Sequence, residues 1–528
     1  MSQNKKNKSG HLTIYDHIQN LTKIGVALSG EKNIERLLEM ILDEALKFTN
    51  ADGGTLYIMS DDESELHFAI IKNESLGVSM GGAGGKITWP AVKLKKEDGS
   101  PNYSNVSAYV AISGEAVNIA DVYDAHSFNF EGTKKYDQDN GYRSQSMLVV
   151  PMRNHENDII AVLQLLNAQD QATGAVVNFS LEFQEMTLSL ASQAAVALTN
   201  NRLISDLENL LESFIKTIAT AIDEKSPYTG GHVRRVAHLT MTIANKINEK
   251  KQGPFASVIF SEDQLRELRM AAWLHDVGKI TTPEHVVDKS TKLEKVYDRI
   301  LDIKTRFEML KLEYQMAAQQ TKNNKTANSP ELMEREIKTL EEEYNFLVKV
   351  NRGDEFIKDE VIERIRKIGK RMWRANSQTL PLLTEDEIYN LSIRRGTLNY
   401  QEKIIINNHA ALSYKMLSGL PFPKKMRHIA DYAAAHHEKI DGTGYPLGLK
   451  ADQIFLQSRI ITIADIFEAL TAEDRPYKKG KNVAEALKIM EFMVKDQHID
   501  ADLFELFVQD EIYKDYANRE LAPQQATK

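Results

Sequence analysis

MAAWLHDVGK, residues 270–279, is an apolar helical stretch carrying an adjacent histidine and aspartate, His275 and Asp276. Imidazole and carboxylate are side chains that Fe, Mn and Zn accept as ligands. Outward from this pair, four further contexts hold the same residue types: His232 in TGGHVRRV, His409 in NNHAAL, His436-His437 in AAHHEKIDGTGYP and Asp465 in IADIF. Any one histidine on a helix is more simply structural, but the chain has only 14 and five fall in such contexts. Seven N/O donors exceed the four that a structural zinc takes and suit two metals sharing a bridging carboxylate. Asp276 is the best candidate for the bridge, because its neighbour His275 is a donor too. Adjacent helical residues diverge by about 100°, so both ligate only if the metals sit beside the helix. Gly278 is expected to help end that helix.

A chain of 528 residues implies two or three domains. Hydrophobic residues at 42% and charged residues at 27% are ordinary for a soluble globular protein. There is no cysteine, which rules out disulfides, thioether-linked bilins and Cys-ligated haem or clusters, and fits a reducing compartment. MSQNKKNKSG lacks the apolar stretch of a signal peptide, and runs such as MLVVPM are strand-sized, far below a membrane span. A cytoplasmic protein with no membrane contact is expected. The net charge of −9 argues against a general DNA binder.

Residues 1–14 are expected to be disordered. From 15 to 180 the pattern is α/β: Ile34, Leu37, Leu38, Ile41, Leu42, Ala45 and Leu46 recur at helical spacing, and GTLYIMS, LHFAIIK, SMLVVPM and DIIAVLQLLN are strand candidates. GVSMGGAGGK lacks phosphate-loop spacing and reads as a loop. The run NIADVYDAHSFNFEGTKKYDQDNGYRSQSMLVVPM, followed by IAVLQLLN, resembles a GAF sensory domain. It is similar to GAF domains that bind cyclic nucleotides, which implies Asn118, Asp121, Phe128, Asn129, Asp137, Tyr142 and Arg143 as ligand candidates and a cyclic nucleotide as the ligand. An empty or dimerising GAF domain is the alternative. Residues 181–225 then read as one connecting helix. Val196, Leu203, Leu207, Leu210, Phe214 and Ala221 form a coiled-coil-like seam, which predicts a homodimer through this helix.

Residues 226–510 resemble the HD-GYP family, the cyclic-di-GMP phosphodiesterase branch of the HD phosphohydrolases. His275-Asp276 matches the HD pair, and Gly444-Tyr445-Pro446 the GYP tripeptide. Pro227-Tyr228-Thr229 before His232, Lys279, and DIFEALTAEDRPYK from Asp465 to Lys478 agree as well. The resemblance implies an all-α catalytic domain with His232, His275, Asp276, His409, His436, His437 and Asp465 around two divalent ions, Fe or Mn. Some relatives hold a third metal through a glutamate four residues before the first histidine; Tyr228 stands there, so two are expected. His409 lies 133 residues after Asp276, much farther than in relatives, which marks an insertion over 289–395. Leu293, Val296, Ile300, Ile303, Phe307, Leu310, Tyr314 and Ala317, then Met333, Ile337, Leu340, Tyr344 and Leu347, predict a helical hairpin, either an arm for partner contact or dimerisation or a solvated arm without function. Residues 511–528 are expected to be a C-terminal tail.

Phosphodiester hydrolysis needs an ionised oxygen nucleophile and charge neutralisation on the phosphoryl group, and two metals supply both through a bridging hydroxide. Lys279, on nearly the same helix face as Asp276, is expected to reach a phosphate oxygen or the leaving group, with a solvated lysine as the alternative. Arg475 and Lys478 match the family's second phosphate clamp, while Arg235 is expected to pair with carboxylates. Gly442, Gly444 and Pro446 mark a tight loop, on which Tyr445 stacks on guanine, bonds a phosphate or simply packs. Three functions follow: hydrolysis of cyclic di-GMP to pGpG or GMP under GAF control, hydrolysis of 3′,3′-cyclic GMP-AMP, or sensing of a cyclic dinucleotide with little turnover.

Overall fold

A computed structural model describes residues 14–224, 230–323, 330–375, 378–472, 480–523 and 525. Tyr228, Arg475, Lys478 and all but the last residue of the N-terminal stretch 1–14 lie outside them. The chain divides into two compact units, Met1–Leu210 and Leu211–Lys528. Among the described residues no helix is long and apolar enough to cross a membrane.

The first unit is α/β. Its elements are α1 (Ile14–Gly30), α2 (Ile34–Thr49), β1 (Ala51–Met59), β2 (Glu65–Asn73), β3 (Val78–Met80), β4 (Val92–Lys93), α3 (Val106–Ser113), β5 (Val117–Ile119), α4 (Glu131–Asn140), β6 (Met147–Arg153), β7 (Ile159–Gln169) and β8 (Val176–Val177). The antiparallel sheet runs β3-β2-β1-β7-β6-β5, with β4 on β2 and β8 on β7. Strand alternation separates two cores. Leu56, Leu148, Leu163 and Leu165 face the helical stripe Leu37, Ile41, Leu42 and Ala45. Tyr57, Val149 and Val162 face the other way, toward α3 and Phe130. The strand candidates became β1, β2, β6 and β7.

One helix, α5 (Leu181–Asp223), runs through the boundary between the units. Leu190, Ala191, Ala194 and Leu198 are buried in the first unit's core and Ile215 in the second's. The predicted seam stays exposed: Val196, Leu203, Leu207, Leu210 and Phe214 are each about half open to solvent.

The second unit is helical: α6 (His232–Glu249), α7 (Glu262–Leu274), α8 (Glu284–Val287), α9 (Ile300–Asn323), α10 (Pro330–Asn351), α11 (Asp359–Gly369), a hairpin of β9 (Met372–Ala375) and β10 (Gln378–Pro381), α12 (Glu385–Leu391), α13 (Tyr400–Ser418), α14 (Ile429–Ala434), α15 (Leu456–Thr471), α16 (Val483–Lys495), α17 (Ala501–Gln509) and α18 (Ile512–Glu520). Its main core joins α6, α7, α14 and α15 through Val236, Ile243, Leu268, Ala271, Ile460 and Phe467. The segment read as a tail contributes α18, whose Tyr513 and Tyr516 are buried there.

The insertion is more than a hairpin. α9 and α10 pack antiparallel, with Phe307 against Tyr344 and Lys311 against Glu341. α11, α12 and the β-hairpin complete a separate core of Ile303, Leu340, Leu347, Ile365 and Leu382. The first helix begins at Ile300 rather than Leu293; just before it, the Asp298 carboxylate accepts from Ile300 N–H. Val296 accordingly lies 97% exposed in the preceding turn. At the root, buried Lys289 donates to both oxygens of Glu402 on α13, at 2.7 and 2.8 Å. Lys292, fully buried, donates to the carbonyls of Leu391 and Ile393.

Candidate metal centre

Five helical segments bring the seven donors together. His232 is the first residue of α6, after Gly231 at φ +85°. The His275-Asp276 pair lies just past α7, which ends at Leu274; His275 keeps right-handed helical angles, Asp276 leaves them at φ −100°, and Gly278 belongs to the 3-10 turn that follows. That glycine allows close approach: a Cβ there would lie 2.1 Å from the His409 carbonyl oxygen. Ser413 Oγ bridges the contact, accepting from Gly278 N–H and donating to the His275 carbonyl. His409 projects from the middle of α13, His436 and His437 from a 3-10 turn after α14, and Asp465 from α15.

Asp276 stands between two groups of donors. Its Oδ2 is 3.3 Å from His275 Nε2 and 3.5 Å from His232 Nε2. Its Oδ1 is 3.3 Å from His409 Nε2 and 3.9 Å from His436 Nε2. His232, His275 and Asp276 form one cluster with ligand atoms within 4.8 Å of one another, and His409, His436 and His437 form a second. Asp465 Oδ1 lies 3.4 Å from His232 Nε2. Sequence alone left open how the seven residues divide; the structure sets six of them in two groups that share Asp276's surroundings, with Asp465 beside His232.

The ring tautomers fit metal ligation. Nδ1 of His275, His409 and His436 faces the carbonyl of Ala272, Ile406 and Ala433 respectively, at 2.8, 2.6 and 2.5 Å. A carbonyl only accepts, so Nδ1 carries the proton and Nε2 offers a lone pair inward. Nε2 of these three rings and Oδ1 of Asp276 are buried without a well-formed hydrogen bond, a costly state unless a cation completes them. Burial, reinforced by neighbouring imidazoles, pushes His436 far down and His437 down to about 3, so both are neutral. For His232 burial opposes protonation, but the charge of Glu468 together with Asp276 and Asp465 outweighs it and lifts the ring to about 10. The carboxylates around His232 thus demand positive charge, as a divalent ion would provide.

Lys279 Nζ pairs with Asp276 Oδ2 at 2.5 Å and is partly open to solvent. The loop after the histidine pair is closed by Glu438, which accepts from Leu447 N–H and Leu449 N–H. Gly444 is required sterically, since a Cβ would fall 2.4 Å from Lys439 N and 2.5 Å from Glu438 Cα. Tyr445 packs its ring on His437, centroids 4.8 Å apart. Glu468 is the residue that sequence reasoning missed: it holds His232 Nδ1 and Arg235. Its position three residues after Asp465, on the same face of α15, was the available signal.

The first unit contains a cavity of about 360 Å³ whose walls include Tyr57, Phe68, Trp89, Tyr136, Tyr142 and Gln164. Of the expected GAF ligand residues only Tyr142 lines it. The others serve the protein's own structure. Asp121 pairs with Arg143, Asn118 bonds Gln184 and the Phe179 carbonyl, and Asn129 accepts from Glu131 N–H at the start of α4. Buried Asp137 accepts from Ser144 and Tyr123, and Phe128 packs between Tyr109 and Phe130.

Residues 33–198 match the GAF domain family, and residues 229–343 and 383–503 match HD domain families. The chain is 28% identical over 281 residues to the 3'3'-cGAMP-specific phosphodiesterase 3 of Vibrio cholerae, covering 53% of this chain and 35% of that one. It is 37% identical over 127 residues to the 3'3'-cGAMP-specific phosphodiesterase 1 of the same organism, covering 24% and 28%. With a cyclic di-GMP phosphodiesterase of Pseudomonas aeruginosa it shares 46% identity over 80 residues, covering 15% and 19%. The chain thus spans about a third or less of the length of these curated relatives.

Proposed function

We propose that this chain, a GAF domain joined to an HD domain bearing the HD-GYP signature, is a metal-dependent phosphodiesterase that hydrolyses cyclic di-GMP to pGpG or GMP in the cytoplasm. The observation that carries it is Asp276, whose two oxygens face two separate histidine clusters. Two divalent ions, Fe or Mn, would be held by His232, His275, Asp276 and Asp465 on one side and His409, His436, His437 and Asp276 on the other. When bound, such ions polarise the phosphoryl group and ionise a water.

The chain's own residues supply the rest. Asp276 fixes the spacing between the two halves of the centre. Lys279, partly exposed beside Asp276, binds a phosphate oxygen. Tyr445, on the glycine loop beside His437, contacts the base or phosphate, with Arg475 and Lys478 as further phosphate contacts. The GAF domain regulates turnover through its 360 Å³ cavity, within the usual size range of a small-molecule site. Its aromatic lining suits the flat base of a cyclic nucleotide. The exposed seam of α5 pairs with that of a second copy, and the inserted subdomain meets a protein partner.

A second substrate, 3′,3′-cyclic GMP-AMP, is favoured by the match that covers 53% of this chain. Anaerobic purification, metal analysis and turnover of each dinucleotide with Mn or Fe test the proposal. About two ions per chain and release of a linear dinucleotide or mononucleotide are expected. Metal-loaded protein that binds a cyclic dinucleotide without cleaving it would instead make the chain a sensor.

A further inference from the structure

His232 is held differently from the other histidines of the centre. His275, His409 and His436 each direct Nδ1 at the carbonyl three residues earlier in their own turn. His232 is the first residue of α6, at the N-terminal end of the helix rather than within a turn. Its Nδ1 instead meets Glu468 Oε2, from α15, at 2.5 Å. Glu468 is 1% exposed, and its second oxygen takes Arg235 Nε at 2.6 Å, one turn beyond His232. The same face of α15 presents Asp465 to the opposite side of the ring, 3.4 Å from Nε2.

We propose that Glu468 is a positioning residue that fixes the His232 ring and tautomer, and makes the metal position of His232, His275 and Asp276 the tighter of the two. An anionic acceptor at Nδ1 raises the donor strength of the opposite nitrogen more than a neutral carbonyl does. Arg235 keeps the carboxylate from turning toward the ion itself. Glu468 and Asp465 both lie against the His232 ring, whereas Nδ1 of His409 and of His436 meets only a backbone carbonyl. The inference rests on the dinuclear reading above.

The test is calorimetric titration of metal-free, full-length protein with Mn(II), with EPR as the count of bound ions. The wild type is expected to bind in two steps. Glu468→Gln should weaken the tighter step by about 10- to 100-fold, the usual effect of removing such a partner, and leave the weaker step within about twofold. Near-ultraviolet circular dichroism checks that the variant folds. In a His232→Ala background, Glu468→Gln should have no further effect, because Glu468 acts through that ring; an equal loss in both backgrounds would mean a general structural role and overturn the inference. Two unchanged steps in Glu468→Gln would overturn it too. A wild-type chain that binds no Mn(II) would instead defeat the dinuclear reading.

Discussion

Gly278→Ala tests whether the centre depends on backbone contact between the turn after α7 and α13. A Cβ at Gly278 would lie 2.1 Å from His409 O and 2.7 Å from Ser413 N, where ordinary contact begins at 3.4 Å. Both obstacles are backbone atoms, so no side chain can swing aside, and the two segments must part by about 1.3 Å. Asp276 Oδ1 and His409 Nε2, 3.3 Å apart, lie across that contact and would part with it. Overpacking of this kind costs roughly 1–3 kcal/mol, which lowers the melting temperature by a few degrees. A displacement near 1 Å in a reacting constellation costs about 100-fold in rate. The assay is metal content after dialysis, then dinucleotide turnover and thermal melting. Gly132→Ala, where an added Cβ meets nothing within 4 Å, is the control and should leave the metal content alone. Gly278→Ala protein that keeps both ions and melts like the wild type would refute the reasoning.

Asp276→Ala should lose both ions, since its two oxygens serve both clusters, and turnover should fall to background; elemental analysis checks it. Burial pushes Lys292 from its ordinary 10.5 down to about 8. The unfolded chain therefore binds this proton first as the pH falls, so stability rises with pH between about 8 and 10.5 and is flat below 8, by at most roughly 3 kcal/mol. Urea unfolding of wild type and Lys292→Met at pH 7.5 and 9.5 should show that slope only in the wild type. Glutamates at Leu207 and Phe214, both on the exposed seam of α5, should turn a dimer into monomers by light scattering while the metal content stays at the wild-type value.

The convergence of these histidines and aspartates was legible because short contexts of fixed residue type carry them: His232 and Asp465, 233 residues apart, meet at 3.4 Å, and Asp276 and His409, 133 apart, at 3.3 Å. What the sequence hid is direction. Asn118, Asp121 and Asp137 have the residue types of a ligand site but turn to the protein's own amides, hydroxyls and guanidinium. Glu468 reads as one more charge on an amphipathic helix until α6 closes over it. Helical periodicity also ran on through Leu293 and Val296, because an apolar pattern carries no stop signal; the helix itself starts at Ile300. The β-hairpin strands and the seven-residue α12 escaped notice because each is too short to build a convincing pattern, whereas α11 does carry one in Ile362, Ile365 and Ile368.

The buried pair Lys289–Glu402 has a practical corollary for anyone who shortens this protein. Glu402 sits two turns before His409 on α13 and also closes the cap of that helix at Asn399. A deletion that takes Lys289 but keeps the packing around Glu402 would strand its carboxylate with no counter-ion, a loss typically of about 3–5 kcal/mol. A trimmed version must therefore neutralise Glu402 as well, with glutamine as the conservative choice because it keeps an acceptor for the Asn399 amide.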